Sequence, residues 1–135
     1  MKEHVFRLAR GDDLKIKIEE YAGSHEIEAG IVVCSVGCLS VCTIRSADGK
    51  TVIKKTEPLE IISLNGTVSK NGCHLHISVS DIALNIFGGH LKEGCTINTT
   101  AEVVIIELES FEFDRAFDKD TGFKELVIKK CRGGG

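Results

Sequence analysis

His74 and His76 are separated by one residue in the stretch Gly72-Cys73-His74-Leu75-His76-Ile77-Ser78-Val79-Ser80-Asp81. A third histidine, His90, follows fourteen positions after His76, within Asn85-Ile86-Phe87-Gly88-Gly89-His90-Leu91. Neutral imidazole suits zinc and similar first-row metals, and three histidines with an open fourth position make a recognisable site. The alternative is that these are strand histidines satisfied by hydrogen bonds or lining a subunit contact. Which holds depends on whether the backbone can bring the three rings together.

Residues 73–80 have strand character, and 84–91 reads as an antiparallel return. Side chains at i and i+2 of a strand share a face, so His74 and His76 stand side by side, ~7 Å apart at the usual rise. A three- or five-residue connection about Ile82 or Ala83 places His90 across from His74 or His76. A two-residue connection sends it to the other face, and a bulge at Gly88-Gly89 reverses the parity again. Cys73 alternates with His74 on a regular strand, points away from the histidines and is not counted as a ligand.

Other residues invite chemistry less directly. Arg45 ends an apolar strand, where it meets either an anion or a surface carboxylate. Glu60 and Glu102 each sit in a mostly apolar run, where an ionised carboxylate needs a partner. Each either orients a histidine or serves as an acid–base group, or alternates onto a solvated face. Asp81 is most simply a turn residue. No nucleophile–base pair, phosphate-cradling glycine loop or dinucleotide fingerprint appears.

The 135 residues fit one domain, expected over 1–130, with 131–135 as a flexible C-terminal tail. Aromatic residues make up 5% and tryptophan is absent, so the core must come from Ile, Val, Leu and Ala, a strand-rich composition. No apolar run approaches the ~20 residues of a membrane span, and Met1-Lys2-Glu3-His4 does not resemble a secretory signal. The expected compartment is the cytoplasm, with no membrane partner. There the six cysteines, none in a C-x-x-C pair, serve as small buried hydrophobes. The formal net charge is −3, the Lys and Arg residues are scattered and 102–120 is acidic, which argues against autonomous, tight DNA binding.

Taken in order, residues 4–10 alternate as a strand, and Gly11-Asp12-Asp13 opens a helix with an aspartate available as N-cap. Leu14, Ile18, Tyr21 and Ala22 form its apolar stripe, and Gly23 is the natural stop. The period then drops to two. Strands are expected over 29–36 and 39–45, with a bend at Gly37-Cys38, then over 50–55 after an Asp48-Gly49 hairpin turn, and over 59–68 after Pro58. Beyond the histidine strands come a long strand over 95–108, phenylalanines 111, 113 and 117 that pack something, and a short strand over 123–130. One N-terminal helix packed on an antiparallel, strand-rich sheet of about seven strands makes an α+β domain.

This order of features resembles the PPC (plants and prokaryotes conserved) domain over roughly 4–109. The resemblance is carried by Gly11-Asp12-Asp13-Leu14, by Val36-Gly37-Cys38-Leu39 with Arg45 closing the next strand, and by Glu60-Ile61-Ile62-Ser63-Leu64-Asn65-Gly66-Thr67. It continues through Gly72-Cys73-His74-Leu75-His76, Gly88-Gly89-His90-Leu91 and Thr100-Ala101-Glu102-Val103. It implies an antiparallel α+β fold, a homotrimer, and an assembly or DNA-associated regulatory module. In plants the domain accompanies AT-hooks; this chain has no Arg-Gly-Arg-Pro hook, and it reads Glu57-Pro58 where plant members read Gly-Arg. The spacing His74-x-His76 with Asp81 and Gly88 overlaps part of a cupin metal motif, but the second cupin motif is missing.

Two functions are therefore expected as alternatives. One is a trimeric, non-enzymatic module whose contact with DNA is weak. The other is a zinc-dependent site that binds or acts on a small molecule, with His74, His76 and His90 as ligands and Glu102 or Glu60 as the acid–base group.

Overall fold

The computed structural model describes residues 1–131. The chain runs β1 (Lys2–Ala9), α1 (Leu14–Ser24), β2 (Gly30–Arg45), β3 (Val52–Ser69), β4 (Gly72–Ser80), β5 (Ile86–Leu91), β6 (Thr96–Glu107), β7 (Phe111–Phe117) and β8 (Lys124–Lys130). Six strands form one antiparallel sheet in the order β1-β6-β2-β3-β4-β5, and β7 and β8 form a separate hairpin. The α+β reading therefore holds.

The helix starts as the sequence dictates. Asp13 is its N-cap, accepting a hydrogen bond from the Ile16 N–H at 3.0 Å. Leu14, Ile18 and Ala22 are fully buried on β3 and β6. Burying side chains the size of Leu14 and Ile18 contributes roughly 1.5–3 kcal/mol each, which is what fastens so short a helix to the sheet. The helix runs one residue past Gly23, to Ser24, and His25 caps it.

The expected break at Gly37-Cys38 is absent, because both residues stay paired to β3. The break at Pro58 is absent as well. The β2–β3 register shifts between Leu39↔Leu59 and Val41↔Thr56, so Glu57-Pro58 sits opposite the single residue Ser40. A bulge is where a strand tolerates a residue lacking its N–H. Each pair of expected strands is thus one long, irregular strand.

β2 is the hub. One edge pairs along its length with β3, while the other is shared by β6 and, at Ile44–Arg45, by β5. Since β3, β4 and β5 are themselves neighbours, the sheet closes on itself through β2.

The sequence reading anticipated no strand at 111–117. The alternation there buries Phe113, which donates its N–H to the Glu28 carbonyl at 2.8 Å and accepts from Ser69 and Asn71. Phe117 is 69% exposed and does not pack as expected. Cys131, placed in the flexible tail, is held by a backbone hydrogen bond to Ser110 at 2.9 Å. The rest of that tail lies outside the described residues.

Two glycines let strands approach where the histidines stand. Gly66 has φ +143°, and a Cβ there would lie 1.9 Å from the His74 carbonyl oxygen. A Cβ on Gly89 would lie 2.6 Å from the Arg45 carbonyl oxygen. Gly66→Ala is expected to destabilise the fold by on the order of 2 kcal/mol or more, by wedging β3 from β4. Gly23→Ala, which meets nothing within 4 Å in an exposed helical turn, should instead stabilise by up to ~1 kcal/mol. Thermal unfolding of the two variants checks the opposite signs.

Candidate metal centre

The connection between β4 and β5 is Asp81–Asn85, an odd five-residue loop. Asp81 builds it: its N–H bonds the Asn85 carbonyl at 3.0 Å and its carboxylate accepts the Asn85 N–H at 2.9 Å. Leu84 takes φ +66° to close the turn. The register that follows sets His76 directly opposite His90, with Ser80 opposite Ile86. His90 in turn pairs with Arg45 on β2, and His76 with Asn65 on β3. Asn65, His76, His90 and Arg45 therefore form one row across four strands, with His74 next to it.

On β4, Leu75 and Ile77 point into the core, which turns His74 and His76 outward to solvent, while His90 is half-buried. The ring centroids lie 5.0 Å apart for His74–His76, 5.0 Å for His74–His90 and 5.8 Å for His76–His90. One ligand atom from each ring lies within 4.8 Å of the others. Gathering them around one ion at ~2.1 Å requires the rings to close in by about an ångström.

The electrostatics keep two of the rings neutral. His90 is pushed down from 6.5 to about 4, first by burial and then by the Arg45 charge. His74 is also lowered, by burial and then by its neighbour His76. The Nδ1 atom of His90 is buried without a hydrogen-bond partner. A metal takes imidazole only in its unprotonated form, so the donor set is prepared for one at neutral pH.

A cavity of about 530 Å³ opens beside the cluster, bounded by the end of β2, the starts of α1 and β4, and the β7–β8 hairpin. His74, His90 and Arg45 all line it. Cys73 lines it too, but its Sγ donates to Glu19 and burial pushes the thiol up to about 12, so it stays protonated.

Glu60 and Glu102 are not brought to the histidines. Glu60 is exposed on β3 opposite Ser80, five residues and ~16 Å along the strand from Asn65. It borders a separate groove with Pro58 and Asp81. Glu102 is exposed on β6 between Arg7 of β1 and Val36 of β2. Both alternate onto a solvated face, so neither has the proximity that an acid–base role at this cluster requires.

The sequence reading missed Arg115 and Phe123, which the hairpin brings to the cavity. The alternation Phe111-Phe113-Arg115 was the available signal for a strand. It also missed a second histidine centre. His4 is buried, with Nε2 2.8 Å from Glu107 Oε2 and Nδ1 3.2 Å from the Tyr21 hydroxyl, and Tyr21 is stacked between Phe6 and His25. Both ring nitrogens are used within the protein, and the contacts tie α1 to β1 and β6.

The family model of the Plants and Prokaryotes Conserved (PCC) domain, the family whose motifs the sequence resembles, matches residues 1–109. The chain belongs to that family. The Bifunctional protein GlmU of Synechococcus sp. (strain JA-3-3Ab) is 40% identical over 130 residues, which are 96% of this chain and 21% of that protein. The chain thus spans about a fifth of the length of the curated relatives it matches. A hypothetical protein from Salmonella cholerae-suis (Salmonella enterica) superposes with a TM-score of 0.91 at 32% identity, over 96% of this chain and 94% of that one. A metal-containing protein from Archaeoglobus fulgidus superposes with a TM-score of 0.76 at 32% identity, over 94% of each chain.

The lowered His90 gives the PCC fold a pH signature. Above pH 6.5 the ring is neutral folded or unfolded and contributes no pH dependence. Between 6.5 and about 4 the unfolded chain takes up a proton that the folded one refuses, so stability falls as pH falls through that window. Thermal unfolding midpoints measured without metal should drop across it, and His90→Asn should flatten the slope.

Proposed function

We infer that this PCC domain is a self-assembling module that holds a divalent first-row metal of the zinc class through His74, His76 and His90. The observation that carries the reading is the convergence of three imidazole ligand atoms within 4.8 Å on a rigid strand pair. The donor set fits: it is all nitrogen, two rings are held neutral, and one buried ring nitrogen lacks a partner. The description of the Archaeoglobus fulgidus protein as metal-containing supports it. An ion held by these three rings would supply Lewis acidity beside the cavity. We assign no reaction, since Glu60 and Glu102, the two carboxylates expected as acid–base groups, both stand away from the cluster.

The self-assembly is a homotrimer, as the family implies. Its support in this chain is a set of exposed apolar side chains: Val5, Val33, Val36 and Ile62 are each more than half exposed. Val5, Val104 and Cys34 form one row across β1, β6 and β2. Elemental analysis of protein purified without added metal should find about one zinc-class ion per chain. Light scattering at micromolar concentration should find three chains per particle. His90→Ala is expected to lose the metal and keep the trimer. A particle that falls apart instead marks the histidines as a subunit contact, and a metal-free wild type sinks the metal reading.

DNA is at most a weak partner of the isolated chain. The formal net charge of −3 leaves no excess of cations to release counterions from a duplex. Titration near physiological salt should give weak affinity that falls steeply with added salt; sub-micromolar, sequence-selective binding would contradict this.

A further inference from the structure

The cavity beside the histidines is charged against the balance of the chain. The protein is formally −3, yet the cavity walls set five Lys and Arg side chains against two carboxylates, Glu19 and Glu125. Lys15 is neutralised by its pair with Glu19. The other four, Arg45, Lys92, Arg115 and Lys124, form no carboxylate ion pair among the described residues. They arrive from different parts of the fold: the end of β2, the residue after β5, the middle of β7 and the start of β8. Four unpaired cations around one concavity repel each other, and the arrangement is relieved by an anion.

Two of the four are already held in place. The Arg45 guanidinium carbon sits 4.9 Å from the centroid of the Phe123 ring, and its Nε is buried with no partner. Arg115 is anchored by a 2.8 Å hydrogen bond from Nη2 to the Thr67 hydroxyl. A buried guanidinium N–H without an acceptor costs free energy that a carboxylate or phosphate oxygen recovers, and a planar fork held by its neighbours suits either. The volume, about 530 Å³, is that of a small-molecule site, and Phe123 gives it an apolar wall.

We propose that this cavity binds a small organic anion, a carboxylate or a phosphate ester, gripped by Arg45 and Arg115 with Phe123 against its apolar body. The site builds on the metal reading in one respect: His74 and His90 form one of its walls, so an ion held there adds positive charge beside the anion. The arginine grip itself exists without it.

The test is calorimetric titration of the full chain, metal-stripped and zinc-loaded, with benzoate, phenyl phosphate and neutral benzyl alcohol. One or both anions should saturate a single site per chain, more weakly at high salt, and the alcohol should not. The tighter anion assigns the headgroup. Arg45→Gln and Arg115→Gln should each weaken binding about tenfold or more while zinc content stays near wild type. Lys92→Gln, which touches no packing contact described above, gives a second reading if Arg45→Gln unfolds; a loss of several-fold is expected there. If neither anion saturates the wild type, or if the arginine variants bind as it does, the proposal is wrong. Zinc retained without anion binding sinks this inference alone. Arginine-dependent anion binding by a chain that takes up no zinc sinks only the metal reading.

Discussion

The edge of β2 can be hydrogen-bonded only once along its length, and the site depends on how that edge is divided. β6 occupies it as far as Val41, and the last residues, Ile44 and Arg45, are left for β5. That short pairing draws β5 across and closes the sheet, so His90 stands between Arg45 on one strand and His76 on the other. Gly89 makes the approach possible, because any side chain there would meet the Arg45 carbonyl. The histidine cluster and the arginine beside it are thus consequences of one shared strand edge.

The parity of the histidines was legible in the sequence because it follows from local rules. The i, i+2 spacing fixes His74 and His76 on one face, and an odd loop returns His90 to it. What the spacing alone left open was the loop length, since two-, three- and five-residue connections all fit the same residues. The choice is made by Asp81 and Asn85, whose reciprocal hydrogen bonds close a five-residue turn. That an aspartate of Asp12-Asp13 caps the helix was legible for the same reason: a cap is a contact over three residues, and the structure makes it Asp13.

Contacts distant in sequence were not legible. Glu60 and Glu102 each left two readings open, a partner for the histidines or a solvated face; their neighbours across the sheet, Ser80, Arg7 and Val36, decide for the solvated face. Pro58 looked like a strand break because a missing N–H disrupts a regular ladder; only pairing with β2 shows that a bulge absorbs it. The hairpin was missed because Phe111, Phe113 and Phe117 read as packing residues, whereas the pairing that makes them a strand is with 124–130.

Net charge likewise says nothing of where the charges stand. A formal −3 is an average over the whole chain, and the averaging hides where the field is. The acidic side chains of 102–120 are spread over β6, β7 and the turns on either side of β7, while the hairpin also brings Arg115 and Lys124 to the cavity beside the histidines. The division of labour follows the chain. His74, His76, His90 and Arg45 all fall within residues 1–109, which the PCC family model covers, whereas Arg115, Phe123 and Lys124 lie beyond it. Lys15, Glu19, Cys73 and Lys92 of the cavity lie within 1–109 too, so the family-matched segment carries the nitrogen cluster and much of the polar lining. The apolar wall at Phe123 comes from the hairpin, which rests on the end of β3 and the β3–β4 turn through Thr67, Ser69 and Asn71. A wall carried on a separate two-stranded unit can vary in sequence without disturbing the strand pairing that places the histidines, so this wall and the histidine cluster are set by different segments.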